Sequence, residues 1–89
     1  MNSNHYSHEI PYRQAFLAKP LIEVMGYWSE VYMLGYMIDN LNQHASITFR
    51  LRNPADLQQI VSRANLELIE LEKAYDARKR MKVLEKCGL

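Results

Sequence analysis

The tract Leu21–Leu41, LIEVMGYWSEVYMLGYMIDNL, constrains this chain more than any other stretch, because it is apolar or aromatic almost throughout. Its length is that of a membrane span. Glu23, Glu30 and Asp39 are spread along it, however, and each is costly in hydrocarbon. The expectation is therefore a buried helix in water, with no membrane partner. Leu21, Val24, Met25, Trp28, Val31, Tyr32, Ile38 and Leu41 follow the three- and four-residue steps of one helical face. Ile22, Tyr27, Met33, Leu34, Tyr36 and Met37 widen that stripe well past one face. Pro20 suits a first helical turn, and it biases Lys19 away from the α region. A helix over about 20–43 is predicted. Within it Gly26 and Gly35 each cost about 1 kcal/mol against alanine, and they mark either close backbone approach or a bend.

Downstream, Ser46–Arg52 reads SITFRLR, with Ile47, Phe49 and Leu51 alternating with Thr48, Arg50 and Arg52. That is the period of a half-buried strand, whose simplest partner is the same strand of another copy, or else of an extended connector that closes a bundle. Asn53-Pro54-Ala55-Asp56 is the sharpest local signal. Asn53 can cap a helix, Pro54 fits its first position, and Asp56 favours the positive end of its dipole. Leu57, Val61, Ala64, Leu68, Leu71 and Tyr75 then repeat in four-three steps like a coiled-coil seam, predicting a helix over about 54–86.

The expected fold is thus all-α: a long helical hairpin (about 20–43 and 54–86) with a short extended or β segment near 46–52. Residues 1–13, polar and carrying His5, His8 and Pro11, read as a flexible or extended arm before a single helical domain over 14–89. Two helices cannot cover the whole surface of the first, so a symmetric homodimer forming a helical bundle is expected.

Chemistry is sparse. His5 and His8 with Glu9 make an incomplete ligand set, so no metal is expected. No His, Cys or Gly-rich loop lies in the aromatic tract to hold a cofactor, and none is expected. There is no phosphate loop or nucleophile elbow, which argues against an enzyme. Glu23 and Glu30, seven residues apart, share a helix face and need solvent or an arginine of another chain. A single cysteine, Cys87, excludes an internal disulfide and fits a reducing, cytoplasmic setting. The formal net charge is only +1, but Arg78, Lys79, Arg80 and Lys82 make the end of the last helix basic.

Two resemblances sharpen the functional expectation. ITFRLRNPADLQQI, residues 47–60, resembles the opening of a ribbon-helix-helix DNA-binding protein, where an alternating strand precedes a helix. That resemblance implies a strand-paired dimer reading DNA with Thr48, Arg50 and Arg52. The chain departs from the pattern in lacking a turn between two helices after Asn53 and in placing a large helix before the strand. In size, lack of a catalytic motif, helical-hairpin pattern and unmatched aromatic surface, the chain also resembles small regulatory proteins of temperate phages and their satellites, including derepression proteins that bind a repressor. This implies a non-enzymatic regulator or adaptor acting by protein–protein contact, of antirepressor type, with a transcription regulator as partner. Tyr27, Trp28, Val31, Tyr32 and Tyr36 are the expected interface, since buried aromatics dominate binding energetics. The alternative is a dimeric DNA-binding regulator that uses 46–52 together with Arg78, Lys79, Arg80 and Lys82.

Overall fold

A computed structural model describes residues 5–86, with side chains over 5–79. In chain order the elements are β1 (His5–Ile10), a 3-10 helix (Tyr12–Leu17), α1 (Ala18–Met25), β2 (Val31–Asp39), β3 (His44–Leu51), a 3-10 turn (Pro54–Asp56) and α2 (Leu57–Lys86). The three strands form one sheet in the order β1-β3-β2, with both pairings antiparallel. β1 and β2 are therefore parallel to each other with β3 between them, and α1 lies in the connection that joins them. This is a split β-α-β unit followed by a hairpin and a long helix.

The fold is mixed α/β, and the expected all-α helical hairpin does not form. The predicted helix 20–43 divides into α1, a turn over 26–30, β2 and the hairpin that leads into β3. A β-bulge explains why the sequence reads as helix. Val31, Met33, Tyr36 and Ile38 stand opposite the buried Leu51, Phe49, Ile47 and Ala45, and the register shifts between Met33 and Gly35. The helix-facing positions of β2 thus step by two, three and two residues. An interrupted alternation of that kind, embedded among aromatics, imitates the three-four spacing of a helix. Gly35 sits in the bulge at φ 155°, a conformation that side chains rarely adopt. A Cβ built there meets nothing within 4 Å, so this glycine serves backbone conformation and not close packing. Gly26, with φ −62°, closes α1.

Two local expectations hold, the turn at Asn53-Pro54 and the strand near 46–52. Asn53 accepts a hydrogen bond from the Ala55 N–H at 3.1 Å, and Pro54 opens the turn that enters α2. The alternating segment near 46–52 is β3, yet it lies at the sheet centre, with β1 and β2 as its partners in place of a second copy. Residues 5–10 of the expected arm form β1.

Both helices cover one face of the sheet. Phe49, Leu21, Met25, Ile47 and Ile60 are its largest fully buried side chains, each contributing about 1.5–3 kcal/mol of burial. From α2, Ile60, Ala64 and Leu68 enter this core at four-residue steps, so of the expected seam Ala64 and Leu68 are buried within the chain, Leu57 and Leu71 pack partly against the core, and Tyr75 is exposed. With 30 residues, α2 is about 45 Å long and outruns the sheet. The 3-10 helix clamps its continuation. Buried Gln14 donates to Glu72 Oε1 at 3.0 Å, Arg13 Nη1 lies 3.1 Å from Glu72 Oε2, and the Phe16 and Tyr75 rings are 4.7 Å apart. No helix among the described residues is long and apolar enough to cross a membrane.

Candidate functional site

Because the helices take one face of the sheet, its edges and its other face carry whatever the protein presents. The two edges differ in chemistry. β1 alternates polar and apolar residues, and His8, on its helix-facing side, bonds Asn65 Oδ1 at 2.9 Å. β2 is apolar on both faces. Leu34, Tyr36, Met37 and Ile38 are between 39% and 54% exposed, Tyr32 is 67% exposed, and Leu41 in the following turn is 91% exposed. No strand flanks its outer side among the described residues. Native edges are usually blunted by lysine, proline or a bulge. β2 has neither lysine nor proline, and its bulge leaves the run 36–39 in regular register with 44–47 of β3.

Asp39 fixes the end of this edge. Its carboxylate accepts from the Asn42 side-chain amide at 2.8 Å and from the backbone N–H groups of Leu41 and Asn42 at 3.1 and 3.2 Å. These bonds, the Asn42 side chain first, hold its pKa below the ordinary carboxylate value, with His44 adding to the effect and desolvation opposing it. Gln43 turns the chain with φ 56°. His44 Nδ1 then lies 2.5 Å from Glu9 Oε1, linking the hairpin to β1 across the open face.

The five residues expected to form one interface do not share a surface. Val31 is buried in the core. Trp28 is half-buried against it, with the Arg63 guanidinium 4.0 Å from its ring centroid, and Tyr27 projects from the turn after α1. Both line a groove of about 620 Å³ between α1 and α2, together with Leu71 and Tyr75 and with Glu23 and Arg78. Tyr32 stands opposite Arg50 on the open face, whereas Tyr36 stands opposite Ile47 on the helix side of β2. Glu30 pairs with an arginine of its own chain and not of another, at 3.3 Å from Arg63 Nη1. The sequence reading missed Leu34, Met37, Ile38 and Leu41 as an edge. Only the short alternation after Gly35 signals it.

The basic residues are also divided. Thr48, Arg50 and Arg52 lie on β3 and just beyond its end, next to Tyr32. Arg78 and Lys79 are exposed far along α2, and the side chains of Arg80 and Lys82 lie outside the described residues. β3 has both edges occupied within the chain, so the strand-paired dimer of a ribbon-helix-helix protein has no free edge there. No family model, curated protein or solved structure matches the chain. Among the described residues, no group of three His, Cys, Asp or Glu is placed to hold a metal ion.

Proposed function

We propose that this protein is a small non-enzymatic regulator or adaptor that acts by protein–protein contact, and that β2 is its contact edge. The observation that carries this reading is the apolar character of both faces of an unflanked edge strand. Such an edge offers a row of backbone donors and acceptors for β-augmentation, while Leu34, Tyr36, Met37 and Ile38 supply apolar area beside them. The edge belongs to every copy, so the first partner available is a second β2, giving a homodimer with a continuous six-stranded sheet. A transcription regulator bound in the antirepressor manner is the heterologous partner we propose, on the grounds of size and of a chain without a recognisable catalytic motif. A cytoplasmic setting goes with this reading and with the single cysteine.

Pull-down from host lysate tests the reading when wild type is run beside Leu34→Lys/Met37→Lys, which places two charges on exposed positions of the edge. Nuclease treatment separates proteins held directly from those carried on nucleic acid. A protein retained by wild type after nuclease and lost with the double variant supports the proposal. Identical retention by the two proteins sinks it.

A further inference from the structure

The helix-free face of the sheet is chemically polarised. One row across its three strands contains His5, Arg50 and Tyr32, paired through their Cα positions, so the outer two stand about 10 Å apart. Arg52 follows just past the end of β3, where its backbone N–H donates to the Glu30 carbonyl at 3.2 Å. Tyr32, Arg50, Leu51 and Arg52 line one shallow depression of about 320 Å³. The side chains of Arg50 and Arg52 are exposed and make no ion pair with any described residue. Three acids of the strands and their turns are already engaged. Glu30 turns to Arg63, Glu9 to His44, and Asp39 to its own turn. Arg50 and Arg52 thus carry positive charge outside any ion pair at one corner of this face, while Glu9 and His44 are paired at the other.

We propose that this corner binds single-stranded nucleic acid, with Arg50 and Arg52 on successive phosphates and one base stacked on the exposed Tyr32 ring. A guanidinium fork matches phosphate geometry, and an exposed tyrosine on a sheet is a sequence-tolerant platform for an unstacked base. A duplex is the poorer ligand. Its bases are already stacked, and major-groove readout calls for a helix or a two-stranded ribbon, whereas β3 is flanked on both sides and backed by helices. Thr48 is next on this face of β3, opposite Ser7 and Gly35, and adds a hydroxyl-bearing side chain to the same strand. The site stands on residues separate from the apolar edge, apart from Tyr32, and does not depend on the protein-binding reading.

Fluorescence anisotropy of labelled single-stranded DNA and RNA of mixed sequence, with the matching duplexes and dextran sulfate as competitors, tests the assignment. Single strands are expected to bind at low salt, and log K to fall against log salt with a slope of about −1.4, at roughly 0.7 for each of two phosphates. Arg50→Ala and Arg52→Ala each remove about half of that slope. Tyr32→Ala weakens binding by about 5- to 150-fold at unchanged slope, while Tyr32→Phe retains it. Sedimentation of each variant checks that its assembly state is unaltered, and the arginine variants read the phosphate half even where a Tyr32 variant misfolds. Absence of single-strand binding at low salt overturns the proposal. So does preference for duplex, or dextran sulfate binding that matches single strands and is indifferent to Tyr32→Ala and to both arginine variants.

Discussion

Replacing Gly35 by alanine separates the strand from the helix that the sequence resembles. In a helix over 20–43, Gly26→Ala and Gly35→Ala would each stabilise the chain by about 1 kcal/mol. In the sheet they differ. At φ 155°, alanine at 35 carries backbone strain of about 1–3 kcal/mol, offset by about 0.4–1 kcal/mol from the less flexible unfolded chain. The net loss centres on about 1.3 kcal/mol, or about 5–10 °C in Tm for a domain this size. Space is not the cause, since an added Cβ meets nothing within 4 Å. D-alanine at 35, introduced by chemical ligation, should therefore recover most of the loss, because its allowed conformations are mirrored. Gly26 has an ordinary helical φ, and its added Cβ meets only the Ile22 and Glu23 carbonyls at 3.3 and 3.4 Å, so its alanine variant should shift stability by less than about 1 kcal/mol. Urea and thermal unfolding of the four proteins read these differences. A rise in Tm with L-alanine at 35 would refute the bulged strand.

Three further outcomes follow from the packing. Leu68→Ala, a truncation within the core, should lose about 2–5 kcal/mol, against at most about 0.5 kcal/mol for Leu66→Ala, which is 64% exposed; comparable losses in urea melts would mean that α2 packs through another face. Arg63→Ala removes both the Glu30 pair and the guanidinium over Trp28. With the pair about one-third exposed, the loss should be only about 1 kcal/mol, and Trp28 emission should shift; unchanged emission would contradict the stacking. Asp39 has a lowered folded pKa, so its contribution is complete above about pH 4, the ordinary carboxylate value, and is lost as pH falls through the lower folded one. Acid titration of hairpin amides by NMR should show this transition in wild type, and its persistence in Asp39→Asn would assign it elsewhere.

Local rules carried the second half of the chain into structure. Asn53-Pro54 sets the start of α2, Ala64 and Leu68 of the four-three seam lie on its buried face although Ile60 takes the place the seam gives to Val61, and the alternation around Phe49 is β3. These signals are each complete within about ten residues. The first half was not legible in this way, for three physical reasons. The bulge at Leu34–Gly35 breaks the period of β2, so its apolar residues fall at helical spacing. β1 is short and polar, and its strand character comes from pairing with β3, a contact some forty residues away. The partners of Glu30 and Gln14, namely Arg63 and Glu72, are set by how α2 crosses the other elements. The same long-range placement divided the expected interface, sending Val31 to the core, Tyr32 to the open face and Tyr36 to the helix side.

The central claim is that β2 is an edge built to be covered by another chain. Sedimentation velocity of wild type beside Leu34→Lys/Met37→Lys, from low to high micromolar concentration, tests it most directly. The account predicts a concentration-dependent approach of wild type to about 21 kDa, twice the 10.5 kDa chain, with the folded double variant remaining at 10.5 kDa. Wild type that stays monomeric at every concentration, or a double variant that dimerises equally well, would contradict it.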